Sequence, residues 1–254
     1  MSQSQLFSLV GRTALVTGAN TGIGQGIALA LASAGADIVA VGRTAPEDTA
    51  NLVRGAGRRF HSIEADLGSA SHSAEIVQQA VEHFGAVDIL VNNAGIIRRN
   101  DALDFTESDW DAVMNVNLKS AFFLCQAVAR KMLELKRGGK IINIASMLSF
   151  QGGIRVVSYT ASKSAIAGMT RLLANEWAAK GINVNAIAPG YIATNNTTAL
   201  RNDETRNREI LARIPAARWG KPDDLGGAAV FLASRASDYV HGTIVPVDGG
   251  WLAR

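Results

Sequence analysis

Short, almost wholly apolar runs alternate along the chain with longer segments whose apolar residues recur at helical spacing. The short runs are TALVT (13–17), DIVAVG (37–42), one within RRFHSIEAD (58–66), DILVNNAG (88–95), GKIINIAS (139–146), INVNAIAPG (182–190) and TIVPVDGG (243–250). A strand that is apolar on every residue, not on alternate ones, is buried on both faces, as strands of parallel sheets are. The longer segments predict helices: GIGQGIALALASAG ending at Gly35, SAEIVQQAVEHFG, a stretch over about 107–135, and one from Tyr159 to about 179. Seven strands, most followed by a helix, predict an α/β fold. It is a single-domain, doubly wound, seven-stranded parallel sheet with helices on both faces. No linker or repeat divides residues 1–254. The least regular stretch, 191–219, is polar and late in the chain, and is expected to form a substrate lid.

Composition narrows the classes. Of the 254 residues, 48% are hydrophobic and 19% charged, which suits a globular enzyme and not a disordered chain. The net charge of +3 and scattered basic residues give no electrostatic case for nucleic acid. The single cysteine, Cys125, lies in the apolar run AFFLCQAVA and reads as a buried, inert thiol. The four histidines show no metal-ligand spacing, so no metal is expected. The N-terminus lacks a signal-peptide pattern, and no uninterrupted apolar run is long enough to span a bilayer. The expectation is a cytoplasmic protein with no membrane partner.

Chemistry concentrates at strand ends. TGANTGIG (17–24) follows the first strand and opens the first helix. Gly18, Gly22 and Gly24, with Asn20, Thr21 and Ile23 between them, form a turn suited to a pyrophosphate at a helix N-terminus, the arrangement of Rossmann-type folds. Their spacing is G-x3-G-x-G. Asp66, ending the third strand, is placed to accept from an adenine amino group, and NNAG (92–95) ends the fourth. After the second strand, where an NAD enzyme often carries an acid, the chain reads Gly42-Arg43. Arg43 can pair with a 2′-phosphate or stack on adenine, and the first of these favours NADP.

Tyr159 and Lys163 are spaced i, i+4 and share one helix face. A phenol titrates near 10 and is a poor catalyst at neutral pH unless its anion is favoured. A neighbouring ammonium and an oxidised nicotinamide favour the anion, and must outweigh burial. Ser146, 13 residues earlier, ends a strand and can hold a carbonyl or hydroxyl. Together these make a phenol that exchanges a proton with a carbinol during hydride transfer.

With TGANTGIG, Asp66, NNAG, Asn117 in NVNL, Ser146, YTASK and PGYIAT in place, the chain from Gly11 onward resembles the short-chain dehydrogenase/reductase family. The resemblance implies a Ser146–Tyr159–Lys163 centre, with Asn117 anchoring a water relay to Lys163. It implies that Asn93 and Gly95, with Ala94 and Leu67, line the cofactor, and that Lys163 binds the nicotinamide ribose. Pro189, Ile192 and Thr194, with Gly190, are implied at the nicotinamide end. The text IIRRNDAL, IINIASMLSFQGGIRV, NVNAIAPGYIATNNT and VDGGWLAR is similar to members acting on keto-deoxy sugar acids. Those members use NAD, against the Arg43 reading, so the cofactor is expected to be NAD(P). The substrate would be a small sugar acid carrying a carboxylate, for which Arg155, Arg98 and Arg99 are the candidate cations. Gln151, Asn195 and Trp219 are candidates to close the pocket. The alternatives are a 3-oxoacyl thioester reductase and a non-catalytic nucleotide-binding regulator. The family packs two long helices in homotetramers, and GGWLAR is expected to join a second interface.

Overall fold

The computed structural model describes residues 3–69 and 72–254. Seven parallel strands form one sheet in the order β3-β2-β1-β4-β5-β6-β7. They are β1 (Thr13–Thr17), β2 (Asp37–Gly42), β3 (Phe60–Glu64), β4 (Ile89–Asn92), β5 (Gly139–Ile144), β6 (Ile182–Pro189) and β7 (Ile244–Val247). A four-residue helix, α1 (Gln3–Leu6), precedes the sheet. On one face pack α2 (Gly22–Ser33), α3 (Glu47–Gly55) and α10 (Gly226–Ala233), around Ile27, Leu31, Val53 and Leu232. On the other pack α4 (Ser73–Phe84), α6 (Ser120–Glu134) and α7 (Val157–Trp177), around Ile76, Leu124, Val128 and Leu173.

Successive strand residues feed opposite cores, which is why both faces had to be apolar. Ala14 and Val16 face the α2 side and Leu15 faces the α6 side. The sheet order reverses between β1 and β4, so the crevice at their carboxyl ends is the topological switch point.

The segment predicted as one helix over 107–135 is not a uniform α-helix. It runs as α5 (Glu107–Met114), a π-helical turn (Asn115–Lys119) and α6. Thr106 caps its start by accepting from the Asp109 amide at 3.1 Å. The expectation that nothing reaches membrane length is corrected: Glu107–Glu134, 28 residues, is long and apolar enough to cross a bilayer by length and composition. Its apolar residues Leu124, Cys125 and Val128 pack against the sheet. Counting uninterrupted apolar runs missed it because the charges sit near its ends and middle. The catalytic-side helix, α7, begins at Val157, two residues before the expected start. Residues 191–219 form a 3-10 turn (Asn195–Thr197), α8 (Thr198–Asn202) and α9 (Glu204–Arg213).

Candidate active site

The glycine-rich turn is held by the end of β4. Asn93 Nδ2 donates to the carbonyls of Thr17 (3.0 Å) and Gly18 (3.1 Å), and Thr17 Oγ1 accepts from the amides of Asn93 and Ala94. The Asn93 side chain is thus spent on the chain's own backbone. Gly18 has φ +66°, a left-handed conformation that favours glycine. Gly24 lies against the Gly18 carbonyl and the Asn93 amide, leaving no room for a Cβ. Asn20 reaches across to the turn after β2, donating to Thr44 O at 2.8 Å and Thr44 Oγ1 at 2.9 Å. Arg43, beside it, is exposed and has no ion pair among the described residues. Asp66 uses one carboxylate oxygen to accept from the Gly68 amide at 2.8 Å. Thr21 precedes the first turn of α2 without a side-chain cap, leaving the helix N-terminus uncovered.

Three expected cofactor residues direct their side chains elsewhere. Leu67 is in the core under α4, and Ile192 and Ile23 pack into or against the α2-side core. Pro189 ends β6, and the Gly190 amide donates to Val247 O. Thr194, in a reciprocal cap with Thr197, approaches Gly22 from the far wall, and Gly95 faces Asn117.

At the end of β5, Ser146 and the first turns of α7 converge. The Ser146 hydroxyl, which accepts from the Leu148 amide at 3.2 Å, lies beside the Tyr159 phenol and favours its anion. Lys163, one turn on, is 4% exposed; its Nζ donates to Ile144 O at 2.6 Å and lies 5.6 Å from the Tyr159 ring centre. Burial lowers the ammonium to about 8. Burial also raises the phenol above its ordinary value, against the opposing pull of Ser146 and of the Arg99 charge. In the chain by itself burial is the largest influence on the phenol, the opposition that the ammonium and an oxidised nicotinamide were expected to have to outweigh together. The Lys163 ammonium points to the Ile144 carbonyl, and burial prevails.

Asn117 sits in the π-helical turn, 2% exposed. Its Oδ1 accepts from the Ile96 amide at 2.8 Å, and its Nδ2 donates to Ile96 O at 3.0 Å and Ser162 Oγ at 3.3 Å. It ties the loop after NNAG to α7. Beneath, a buried polar chain joins Asn92 Nδ2 to Asn143 Oδ1 (2.9 Å) and Asn143 Nδ2 to Thr170 Oγ1 (2.9 Å). Cys125 borders it, and burial pushes its thiol up to about 12, which keeps it inert.

The candidate cations separate. Arg98 is paired with Asp109 (3.1 Å) and Arg155 with Asp101 (3.2 Å), both on the surface. Arg99 alone acts on Tyr159, and it reaches Asn196 O at 3.4 Å. Gln151 is engaged too: its Oε1 accepts from Arg213 and Trp251. Trp219 Nε1 donates to Asn207 Oδ1 at 2.7 Å and its ring meets Tyr191 edge-on. Asn195 is exposed at the start of the 3-10 turn. Sequence reading missed Tyr191 and Trp251, whose rings lie 4.7 Å apart; Trp251, expected at an interface, is buried in its own chain. Their clustering in YIAT and GGW carried no spacing signal.

A seven-stranded parallel sheet with this turn and a Ser–Tyr–Lys convergence defines a dinucleotide-dependent oxidoreductase. A family model described as enoyl-(acyl carrier protein) reductase matches residues 18–252. A 2-dehydro-3-deoxy-D-gluconate 5-dehydrogenase of Dickeya dadantii is 64% identical, over 98% of each chain. The protein of that name in Escherichia coli is 62% identical over the same shares. Among solved structures, a protein of Agrobacterium tumefaciens with bound NADP, provisionally described as a 2-deoxy-D-gluconate 3-dehydrogenase, is 59% identical. It superposes with a TM-score of 0.93, covering 98% of this chain and 99% of that one. A gluconate 5-dehydrogenase of Burkholderia cenocepacia, in complex with NADP and tartrate, is 40% identical with a TM-score of 0.94 over 100% of both. The chain belongs to the short-chain dehydrogenase/reductase family and is an oxidoreductase.

Proposed function

We propose that the chain interconverts a ketone and a secondary alcohol of a deoxy sugar acid, of the 2-dehydro-3-deoxy-D-gluconate or 2-deoxy-D-gluconate type, using NAD(P)(H). The observation that carries the substrate class is the 62–64% identity to the Dickeya and E. coli dehydrogenases across 98% of the chain. The crevice suits the cofactor on its own geometry: the close Gly18–Gly24 approach holds a tight turn that no Cβ could share, and the turn opens onto an uncovered helix N-terminus. When bound, the nicotinamide gives or takes the hydride.

The remaining steps belong to the chain. Ser146 holds the substrate oxygen beside the phenol. Tyr159 donates its proton to that oxygen in reduction and recovers one in oxidation. Lys163 favours the phenolate and holds the ribose, and Asn117 anchors the relay that returns the proton. Asp66 keeps a carboxylate oxygen for the adenine amino group. Arg43, exposed and without an ion pair among the described residues, meets the 2′-phosphate of NADP; the NADP-bearing relatives support this choice over NAD. Arg99 receives the substrate carboxylate, since Arg98 and Arg155 are committed to Asp109 and Asp101. Residues 191–219 cover the substrate as a lid.

We further propose a homotetramer in the cytoplasm. Trp110 and Phe123 on α5 and α6, and Leu172 on α7, are 37%, 37% and 52% exposed, which favours a covering copy of the chain.

The test is turnover of 2,5-diketo-3-deoxygluconate, following NADH and NADPH loss in parallel. Turnover that vanishes in Tyr159→Phe supports the reading. Turnover of a 3-oxoacyl thioester, with none of the sugar acid, replaces it with thioester reduction.

A further inference from the structure

The last residues of the chain are fastened to both walls of the crevice. Asp248 closes the turn after β7, its carboxylate accepting from the amides of Gly250 (2.8 Å) and Leu252 (2.9 Å). The turn places Trp251 in an apolar cluster with Met147, Ile210 and Ile214. Trp251 Nε1 donates to Gln151 Oε1 at 3.3 Å, and the same oxygen accepts from Arg213 Nη2 at 3.2 Å. The Arg213 guanidinium lies 4.0 Å from the Trp251 ring centre. Arg254 Nη1 donates to Ala212 O at 3.1 Å, in the last turn of α9. One amide oxygen on the segment that follows Ser146 thus gathers the C-terminal indole and the end of α9.

α9 cannot hold its own place. It has ten residues and buries one of them, Ile210. A helix so short gains its stability from what it packs on. The packing partner is the Trp251 cluster, and Tyr191, which meets Trp251 at 4.7 Å and Trp219 at 5.4 Å, is carried by the same cluster.

We propose that Gln151, Trp251 and Arg254 are positioning residues for the substrate. They fix α9, and the wall bearing Tyr191 and Trp219, at a set distance from Ser146. The C-terminus is a clasp across the crevice, and the fit of the sugar acid depends on it. This rests on the reading of residues 191–219 as the substrate cover.

The test pairs hydrogen exchange over residues 204–213, measured without substrate, with steady-state kinetics. Trp251→Phe keeps the ring and loses the donor; Gln151→Leu keeps the volume and loses the shared acceptor. Both are expected to speed exchange of the α9 amides about tenfold, as loss of a hydrogen bond or two would. KM for the sugar acid is expected to rise about fivefold or more, with kcat within about twofold and NADPH affinity unchanged. Gln151→Glu, which keeps an acceptor for both donors, is expected to restore slow exchange and the low KM. Unchanged α9 exchange in Gln151→Leu overturns the proposal, and so does an equal loss of kcat, KM and NADPH affinity. Should the wild-type protein not turn over sugar acids, the exchange result still decides the clasp.

Discussion

Lys163 donates a hydrogen bond to the Ile144 carbonyl, at 2.6 Å, while its ammonium stands 5.6 Å from the centre of the Tyr159 ring. The last residue of β5 therefore holds the cation in reserve beside the phenol, in a buried place where a charge is costly.

That cost has a pH signature. Burial lowers Lys163 from 10.5 to about 8, so the folded state binds its proton more weakly than the unfolded chain. The charged lysine costs stability in full below pH 8; the cost shrinks as pH rises from 8 to 10.5 and is gone above. Lys163→Met is expected to be more stable than wild type at pH 7 by up to ~3 kcal/mol, at 1.36 kcal/mol per pKa unit. The gap should close by pH 10.5. Urea unfolding at both pH values checks this, and an equal gap at both contradicts it.

Tyr159→Phe removes the proton carrier and leaves the ring. Catalytic efficiency is expected to fall by about 10³ or more, within the range general acid-base groups contribute. NADPH affinity should stay within about twofold, read by fluorescence titration. A variant that keeps a tenth of its activity would assign the proton to another group.

Gly24→Ala drives a methyl group into the Gly18 carbonyl and the Asn93 amide. Overpacking of this kind costs about 1–3 kcal/mol. The variant is expected to lose NADPH affinity at least about tenfold, beyond its loss of thermal stability, because the turn must open. Calorimetric titration against a refolded control measures both, and normal binding would show that the turn yields elsewhere.

Arg99→Ala is expected to raise KM for the sugar acid about tenfold or more, the worth of a charge-assisted hydrogen bond. Arg98→Ala and Arg155→Ala, whose partners are Asp109 and Asp101, should change it by less than about threefold. Initial rates for the three variants separate the roles, and a larger effect at Arg155 would move the carboxylate to the other loop.

Arg43→Ala is expected to lower efficiency with NADPH about tenfold while leaving NADH within about twofold. The ratio of the two coenzymes in one assay reads the effect directly. Equal losses with both would place Arg43 on the adenine, not on a 2′-phosphate.

Much of this architecture was legible along the chain. The inner strands β1, β2, β4 and β6 read correctly because burial on both faces leaves them largely apolar, whereas the edge strands β3 (FHSIE) and β7 are only partly buried. The Ser146, Tyr159 and Lys163 side chains stood out because a phenol and an ammonium one helical turn apart have few structural reasons to be there. Other features were hidden for physical reasons. α10, GGAAVFLA, was not read as a helix because its apolar residues go round every side and leave no period. The choice among Arg98, Arg99 and Arg155 depends on aspartates that only folding brings near. Gln151 and Trp251 are a hundred residues apart, and nothing local announces their bond. His61 and His83, 22 residues apart with no spacing to connect them, lie on β3 and α4 and stack 4.1 Å apart.

The π-helical turn at Asn115–Lys119 carries one residue more than an α-helix of the same span needs. Removing a single residue there would let the strand of hydrogen bonds close into an ordinary helix, with the chain's ends still reaching their neighbours. The flanking helices would keep their faces, because the wide turn is what absorbs the extra residue, while Asn117 would lose the position from which it meets Ile96 and Ser162. A one-codon deletion would therefore be expected to leave a folded protein in which Asn117 no longer ties the loop after NNAG to α7.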